Sequence, residues 1–220
     1  MYSLIKRFFD IVFSFFALVL LLPLFIPIII ILKLTGEGEI FYKQARVGYK
    51  NKPFFIWKFA TMLKNSASIG SKEITLRNDS RVTKFGKFLR ISKLNELPQL
   101  INILVGEMSF VGPRPLMEVS FQQYSPQVQS MIYNKPPGLT GIGSLVFRDE
   151  ELIVTQSPLS PADCYKFNII PYKGQLEMWY QQKASLYTDL MILFLTAWSV
   201  IFSKSQLTYK VFKDLPKRSF

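Results

Sequence analysis

The sequence predicts an α+β protein, mostly helical, with a membrane-inserted helix at its N-terminus and a compact domain behind it. Three observations predict this. Residues 11–32 carry no charge and are nearly all Leu, Ile, Val and Phe. Two runs rich in β-branched and aromatic residues, 40–47 and 53–59, flank Gly48-Tyr49-Lys50-Asn51. The other apolar runs are short and helix-like.

As a helix, the first run covers about 33 Å, against a hydrocarbon core of roughly 30 Å. It is longer than the apolar region of a signal peptide, and no small-residue cleavage site follows it. Pro23 cannot donate to the carbonyl of Val19, and Pro27 repeats the defect. Two forms fit. One is a tilted, kinked transmembrane helix. The other is a helix broken at Pro23 that returns to the face it entered, keeping Lys6-Arg7 and Lys33 on one side.

Beyond it, residues 40–59 read as a β-hairpin. Residues 65–79 are polar, a loop or a short helix, and 82–89 form a short amphipathic helix. A second helix is expected over 97–104 and a third over 116–132. Residues 136–141, with two glycines, read as a turn or loop. Ser160-Pro161-Ala162-Asp163 is a helix start, with a serine cap and proline in the first turn. Residues 190–202 are too short to span a membrane. They are either a core helix or an interfacial one, with Lys204, Lys210, Lys213, Lys217 and Arg218 near lipid headgroups.

The chain carries 27 basic and 15 acidic residues, a formal net charge of +12, which favours an anionic partner. Nucleic acid is not expected, because no helix-turn-helix, zinc-finger or RNA-recognition signature is present. There is no histidine and one cysteine, Cys164. A Ser-His-Asp triad, a Cys-His dyad, a histidine-ligated zinc and an internal disulfide are thereby excluded. Chemistry is left to carboxylates, Lys, Arg, Tyr and Ser/Thr, with an oxygen-liganded ion such as Mg²⁺ as the natural metal.

Asn95-Glu96 stands directly before the apolar run 97–105. Asn95 is a good helix cap and Glu96 complements a helix dipole, which is reason enough for both. The same geometry suits phosphate at a helix start and a carboxylate ligand for Mg²⁺. Arg114, held between Pro113 and Pro115, is presented from a stiff loop suited to bidentate phosphate recognition. Arg81, Lys84, Lys87 and Arg90 recur every three residues along one side of a helix, facing solvent, lipid or phosphate. Arg148 has Asp149 and Glu150 as candidate ion-pair partners.

These motifs, in this order, resemble the bacterial sugar transferase family, the monotopic polyprenyl-phosphate phosphoglycosyl transferases. The resemblance runs from about Lys6 to Phe202. It is carried by Lys6-Arg7-Phe8-Phe9-Asp10, Lys43-Gln44-Ala45-Arg46-Val47-Gly48, Lys58-Phe59-Ala60-Thr61-Met62 and Asp79-Ser80-Arg81. It continues through Leu89-Arg90, Leu94-Asn95-Glu96-Leu97-Pro98-Gln99, Gly106-Glu107-Met108-Ser109, Gly112-Pro113-Arg114-Pro115 and Pro137-Gly138-Leu139-Thr140-Gly141.

The resemblance implies transfer of a sugar-1-phosphate from a UDP-sugar to polyprenyl phosphate, usually undecaprenyl phosphate, initiating a surface glycan such as O-antigen, capsule or exopolysaccharide. It implies residues 1–35 as a re-entrant helix-break-helix with Pro23 at the break. Residues 36–220 would be a domain on the cytoplasmic face of the inner membrane, with an interfacial helix near 186–203. By matching motif, Glu96 is the Mg²⁺ ligand, Arg114 a phosphate binder, and Arg90, Lys58 and Arg148 basic site residues; Arg81 joins them as a phosphate-binding candidate. Anionic inner-membrane lipids are expected partners, and a second copy or a downstream glycosyltransferase stands as a further candidate.

Three departures stand out. Asn95 occupies the position of the family's nucleophilic Asp, and an amide cannot form a stable acyl phosphate. Ala60 stands where an arginine is usual. Residues 141–151 depart from the commoner Gln-Val-x-Gly-Arg pattern and carry extra acids. Two outcomes follow: an active enzyme using direct attack by the lipid phosphate or another carboxylate (Asp79, Asp149 or Glu150), or an inactive membrane-bound homologue acting as a scaffold or regulator.

Overall fold

The computed structural model describes residues 1–35, 37–64, 80–202 and 205–220. The polar stretch 65–79, including Asp79, lies outside the described residues. The fold is mostly helical with a few short strands, as the sequence predicts. The chain forms two compact units, one of residues 11–45 and 55–105, the other of residues 1–10, 46–54 and 106–220. It passes from one to the other inside its first helix and inside both strands of its hairpin. That hairpin is the expected one: β1 (Phe41–Val47) pairs with β2 (Pro53–Phe59) around the tight turn Tyr49–Asn51.

In the unit of residues 11–45 and 55–105, the first helix, α1 (Tyr2–Leu34), supplies the apolar wall. It is one helix with Pro23 and Pro27 inside it, so Pro23 interrupts the hydrogen-bond ladder without ending the helix. Phe25, Ile28 and Leu32 recur at helical spacing and are buried against Phe59 of β2 and Leu89. Phe25 meets Phe59 edge-on at 5.3 Å. Phe13, Phe16, Leu20, Leu22, Ile26 and Ile30 stay exposed. So large an apolar face belongs against lipid, and α1 is long and apolar enough to cross a membrane.

The next helix, α2 (Lys84–Ile91), is anchored at its start. The Thr83 hydroxyl accepts the Gly86 N–H at 2.9 Å, and the Thr83 N–H donates to the Thr61 carbonyl at 3.0 Å. A Cβ on Gly86 would stand 2.2 Å from that Thr61 oxygen, so only glycine lets α2 approach so closely. The helix expected over 97–104 is α3 (Gln99–Val105). It begins later because Leu94–Glu96 forms a 3₁₀ turn ahead of it.

In the other unit, β3 (Ser109–Val111) pairs in parallel with β4 (Gly138–Thr140), Ser109 opposite Gly138 and Val111 opposite Thr140. The loop expected over 136–141 is thus partly a strand. The single helix expected over 116–132 is two, α4 (Glu118–Phe121) and α5 (Pro126–Met131). Ser125 restarts it, accepting the Val128 N–H with Pro126 in the first turn.

Then come α6 (Ile142–Val146), α7 (Glu150–Gln156) and α8 (Pro161–Asp163), the last capped by Ser160 as expected. A π-helical turn, Cys164–Ile169, leads into α9 (Ile170–Lys183), followed by α10 (Leu186–Ile201) and α11 (Leu207–Val211). Val111, Ile142, Leu176, Tyr180, Ile192 and Leu195 form the centre of the core. α10 contributes to the core through Ile192 and Leu195, which are buried, while Tyr187, Leu190, Phe194, Val200 and Ile201 are exposed.

The first turns of α1 are clipped to this unit by buried acids. Asp189 accepts from Lys6, from the Tyr2 hydroxyl at 2.8 Å and from the Tyr180 hydroxyl at 2.7 Å. Asp10 accepts from the Ser109 hydroxyl and the Phe110 N–H, both at 3.1 Å.

Candidate active site

The candidate residues fall into two groups, one in each unit. In the unit of residues 11–45 and 55–105, β2 is held to α3 by Asn102. Its Oδ1 accepts the Trp57 N–H at 3.0 Å and its Nδ2 donates to the Phe55 carbonyl at 2.7 Å, so the side-chain amide continues the strand's pairing. Lys58, next along the strand, reaches the 3₁₀ turn, where its Nζ lies 3.2 Å from Glu96 Oε1. Both side chains are mostly buried.

Asn95 sits on the same turn and is buried, 7% exposed. It does not cap α3. The turn is entered through Lys93, in the left-handed region at φ 61°, and α3 starts only at Gln99. The capping role open to Asn95 in the sequence is therefore excluded by the residues that intervene. Arg90 is in the last turn of α2, which packs on the Leu94–Glu96 turn. Arg81 is different. It lies before α2 begins and is buried, so the helical stripe is Lys84, Lys87 and Arg90 only. Arg81 and Arg90 flank α2 at opposite ends.

In the other unit, Arg114 is exposed between two buried prolines. Its loop is pinned almost atom by atom. The Gly112 N–H donates to the Thr140 carbonyl at 3.0 Å, and the Gly138 N–H donates to the Pro113 carbonyl at 2.8 Å. The Tyr133 hydroxyl donates to the Arg114 carbonyl at 2.8 Å and accepts the Leu116 N–H at 2.9 Å. Arg46 reaches the Pro115 carbonyl at 3.4 Å, and the Val47 N–H donates to the Leu116 carbonyl at 2.8 Å. Proline has no N–H to satisfy, and the carbonyls of Pro113 and Pro115 are both taken up by these partners.

Arg148 is exposed just past α6. Glu150, one of its candidate partners, pairs instead with Lys173 at 2.6 Å. The structure thus brings Lys58, Asn95 and Glu96 together at one turn. It sets Arg90 at the helix end packed against that turn, and puts Arg114 on a rigid loop. Among the described residues, no group of three or more His, Cys, Asp or Glu forms a metal cage.

The family model for bacterial sugar transferases matches residues 1–203 of the chain. The chain belongs to this family. The sugar transferase is 35% identical over 205 residues to the UDP-glucose:undecaprenyl-phosphate glucose-1-phosphate transferase of Klebsiella pneumoniae, covering 91% of this chain and 41% of that protein. It is 32% identical over 213 residues to the exopolysaccharide production protein ExoY of Sinorhizobium fredii, covering 90% of this chain and 86% of that one. It is also 32% identical over 210 residues to the undecaprenyl-phosphate galactose phosphotransferase of Salmonella typhimurium, covering 88% and 40%. The chain therefore spans about two fifths of the Klebsiella and Salmonella proteins and most of ExoY.

Asn102, Tyr133 and Glu177 were not singled out in the sequence. Asn102 carried a signal, a lone amide inside Leu100-Ile101-Asn102-Ile103-Leu104, and so did Glu177, a lone acid between Leu176 and Met178. Tyr133 carried none.

Proposed function

We propose that this sugar transferase moves a sugar-1-phosphate from a UDP-sugar to polyprenyl phosphate, undecaprenyl phosphate in a bacterium, and so initiates a surface glycan. The Lys58–Glu96 pair beside Asn95 carries this reading, together with relatives named for transfer to undecaprenyl phosphate. An oxygen of the lipid phosphate attacks the β-phosphorus of the nucleotide sugar. The bond from that phosphorus to the bridging oxygen breaks, and UMP leaves with the oxygen. Attack is direct because position 95 holds an amide, which cannot carry the phosphosugar as an acyl phosphate.

Mg²⁺ fits the site. Magnesium is usually bound by one or two carboxylates together with substrate phosphates, and Glu96 is a single carboxylate without a surrounding acid cage among the described residues. Glu96 would hold the metal, which would supply charge neutralisation to the diphosphate. Lys58 holds the Glu96 carboxylate in place and adds positive charge beside it. In this unit Arg90 and Arg81 supply phosphate-binding cations, and in the other unit Arg114 and Arg148 do so. Residues 1–35 insert as a re-entrant helix bent at Pro23, and the exposed face of α10 lies at the lipid interface. The domain acts on the cytoplasmic face of the inner membrane, near anionic lipids. Other copies of the chain or downstream glycosyltransferases are its protein partners.

The test is UMP release by the purified chain in detergent with Mg²⁺, polyprenyl phosphate and a panel of UDP-sugars. At least one sugar is expected to give UMP, and Glu96→Ala to abolish it. No UMP from any sugar, with turnover restored by Asn95→Asp, would establish the inactive scaffold instead.

A further inference from the structure

We infer that Asp10 is a positioning residue for the Arg114 loop: its carboxylate sets where β3 begins, and β3 carries that loop. The inference deepens the phosphate-binding role proposed for Arg114 and rests on that reading for its functional arm. Asp10 is the last charged residue before the uncharged run 11–32. A carboxylate there is costly to bury, yet Asp10 is only 6% exposed. Two donors offset that cost. Its Oδ1 accepts the Ser109 hydroxyl and the Phe110 N–H, each at 3.1 Å.

One turn earlier on α1, Arg7 lies against Gly106, where a Cβ would stand 3.2 Å from the guanidinium. Gly106 has φ +95°, a conformation that favours glycine, and stands just ahead of β3. The first turns of α1 therefore meet the segment 106–110 at two points. The far end of β3 is held as well. The Tyr180 hydroxyl lies 3.3 Å from the Val111 carbonyl and 2.7 Å from Asp189, the acid that also receives Lys6 and Tyr2. Two buried acids, one on α1 and one on α10, thus bracket the three-residue strand.

So short a strand has little pairing of its own to hold it. The Ser109 N–H donates to the Pro137 carbonyl at 2.9 Å, so the strand pairing starts at the residue whose hydroxyl Asp10 accepts. Past the strand, Gly112 donates to Thr140, and Gly138 donates back to Pro113, the residue before Arg114. A Cβ on Gly138 would lie 2.1 Å from the Gly112 nitrogen, so the two backbones are in direct contact. A shift of β3 against β4 has no room there and moves Pro113 and Arg114 with it.

The test uses the full chain in detergent with Asp10→Asn, Asp10→Leu, Ser109→Ala and Arg114→Ala. Asp10→Asn keeps an oxygen for both donors, and Asp10→Leu removes it at similar volume. Amide hydrogen exchange reads the strand without any ligand. In Asp10→Leu, exchange at Phe110, Gly112 and Gly138 is expected to be about tenfold faster or more, with α9 unchanged and with native rates in Asp10→Asn. Ser109→Ala, which leaves the carboxyl in place, is expected to shift the same amides by a smaller factor. Faster exchange at Phe110 alone would make Asp10 an anchor for α1 only and overturns the inference. If Asp10→Leu does not fold, native exchange at Gly112 and Gly138 in Ser109→Ala overturns it.

Equilibrium binding of UDP reads the loop. About tenfold weaker binding is expected in Asp10→Leu, with native affinity in Asp10→Asn. In an Arg114→Ala background, Asp10→Leu is expected to weaken binding no further, because it acts through that arginine. Additive losses overturn the inference. If the native chain binds no UDP, the proposed function fails, while exchange at Gly112 and Gly138 still decides what Asp10 holds.

Discussion

Lys58 Nζ lies 3.2 Å from Glu96 Oε1, with the two side chains 16% and 22% exposed. One partner comes from a strand and the other from a 3₁₀ turn, and they meet because Asn102 ties that strand to the helix behind the turn. Partly desolvated, the pair is worth more than a surface bridge but less than a buried one, on the order of 1–2 kcal/mol. Glu96→Gln is expected to lower UMP release at least a hundredfold while costing no more than about that 1–2 kcal/mol of stability in urea. A parallel fall in stability and activity would make the pair a structural bridge and not a site.

Asn102→Leu is expected to be more damaging to the fold than Glu96→Gln. It leaves the Trp57 N–H and the Phe55 carbonyl without their partner in a part-buried setting, at about 1–3 kcal/mol together. Thermal melting would report the loss, and a melting point within a degree or so of native would show that β2 does not depend on this amide.

Asp189 gathers three donors, Tyr2, Lys6 and Tyr180, onto one buried carboxylate. Asp189→Leu strands all three and is expected to cost about 3–5 kcal/mol. Limited proteolysis should then cut near the N-terminus. Native resistance in that variant would mean that the first turns of α1 are held by something else.

Stability should also depend on pH through Glu177. Burial pushes its carboxyl up from 4.5 to about 8, with Lys173 and the Arg114 N–H pulling the other way. Between those values the folded chain keeps a proton that the unfolded chain has released. The contribution is fully present below pH 4.5, and it is lost as pH rises through 8, at up to about 1.4 kcal/mol per pH unit. Urea midpoints measured from pH 5 to 9 are expected to fall more steeply in the native chain than in Glu177→Gln. Equal slopes would remove Glu177 as the titrating group.

Local pattern carried much of the fold. The hairpin around Gly48, the amphipathic α2 and the Ser160 helix start each announce themselves within ten residues, and each is present. The break between α4 and α5 was legible too, in Ser125-Pro126, but the apolar residues on either side mask it. β3 and β4 are three residues each, too short for alternation to show, and their parallel pairing joins positions about thirty apart.

At the site, the motif residues were legible as a set, and the turn that holds Asn95 was not, because a cap and a 3₁₀ turn use the same residue types. The hold on the Arg114 loop lies furthest from local reading: Tyr133 reaches the Arg114 carbonyl from 19 positions along the chain, and no spacing rule links them.

The central claim is direct transfer at a site whose nucleophile position holds Asn95. Intact-mass spectrometry of the chain with UDP-sugar and Mg²⁺, followed in parallel by UMP release before and after adding polyprenyl phosphate, tests it most directly. The chain mass is expected to stay native throughout, with UMP appearing only once the lipid phosphate is present. A sugar-phosphate adduct on the protein, or UMP released without the acceptor, would contradict direct transfer and place the nucleophile on another residue of the chain.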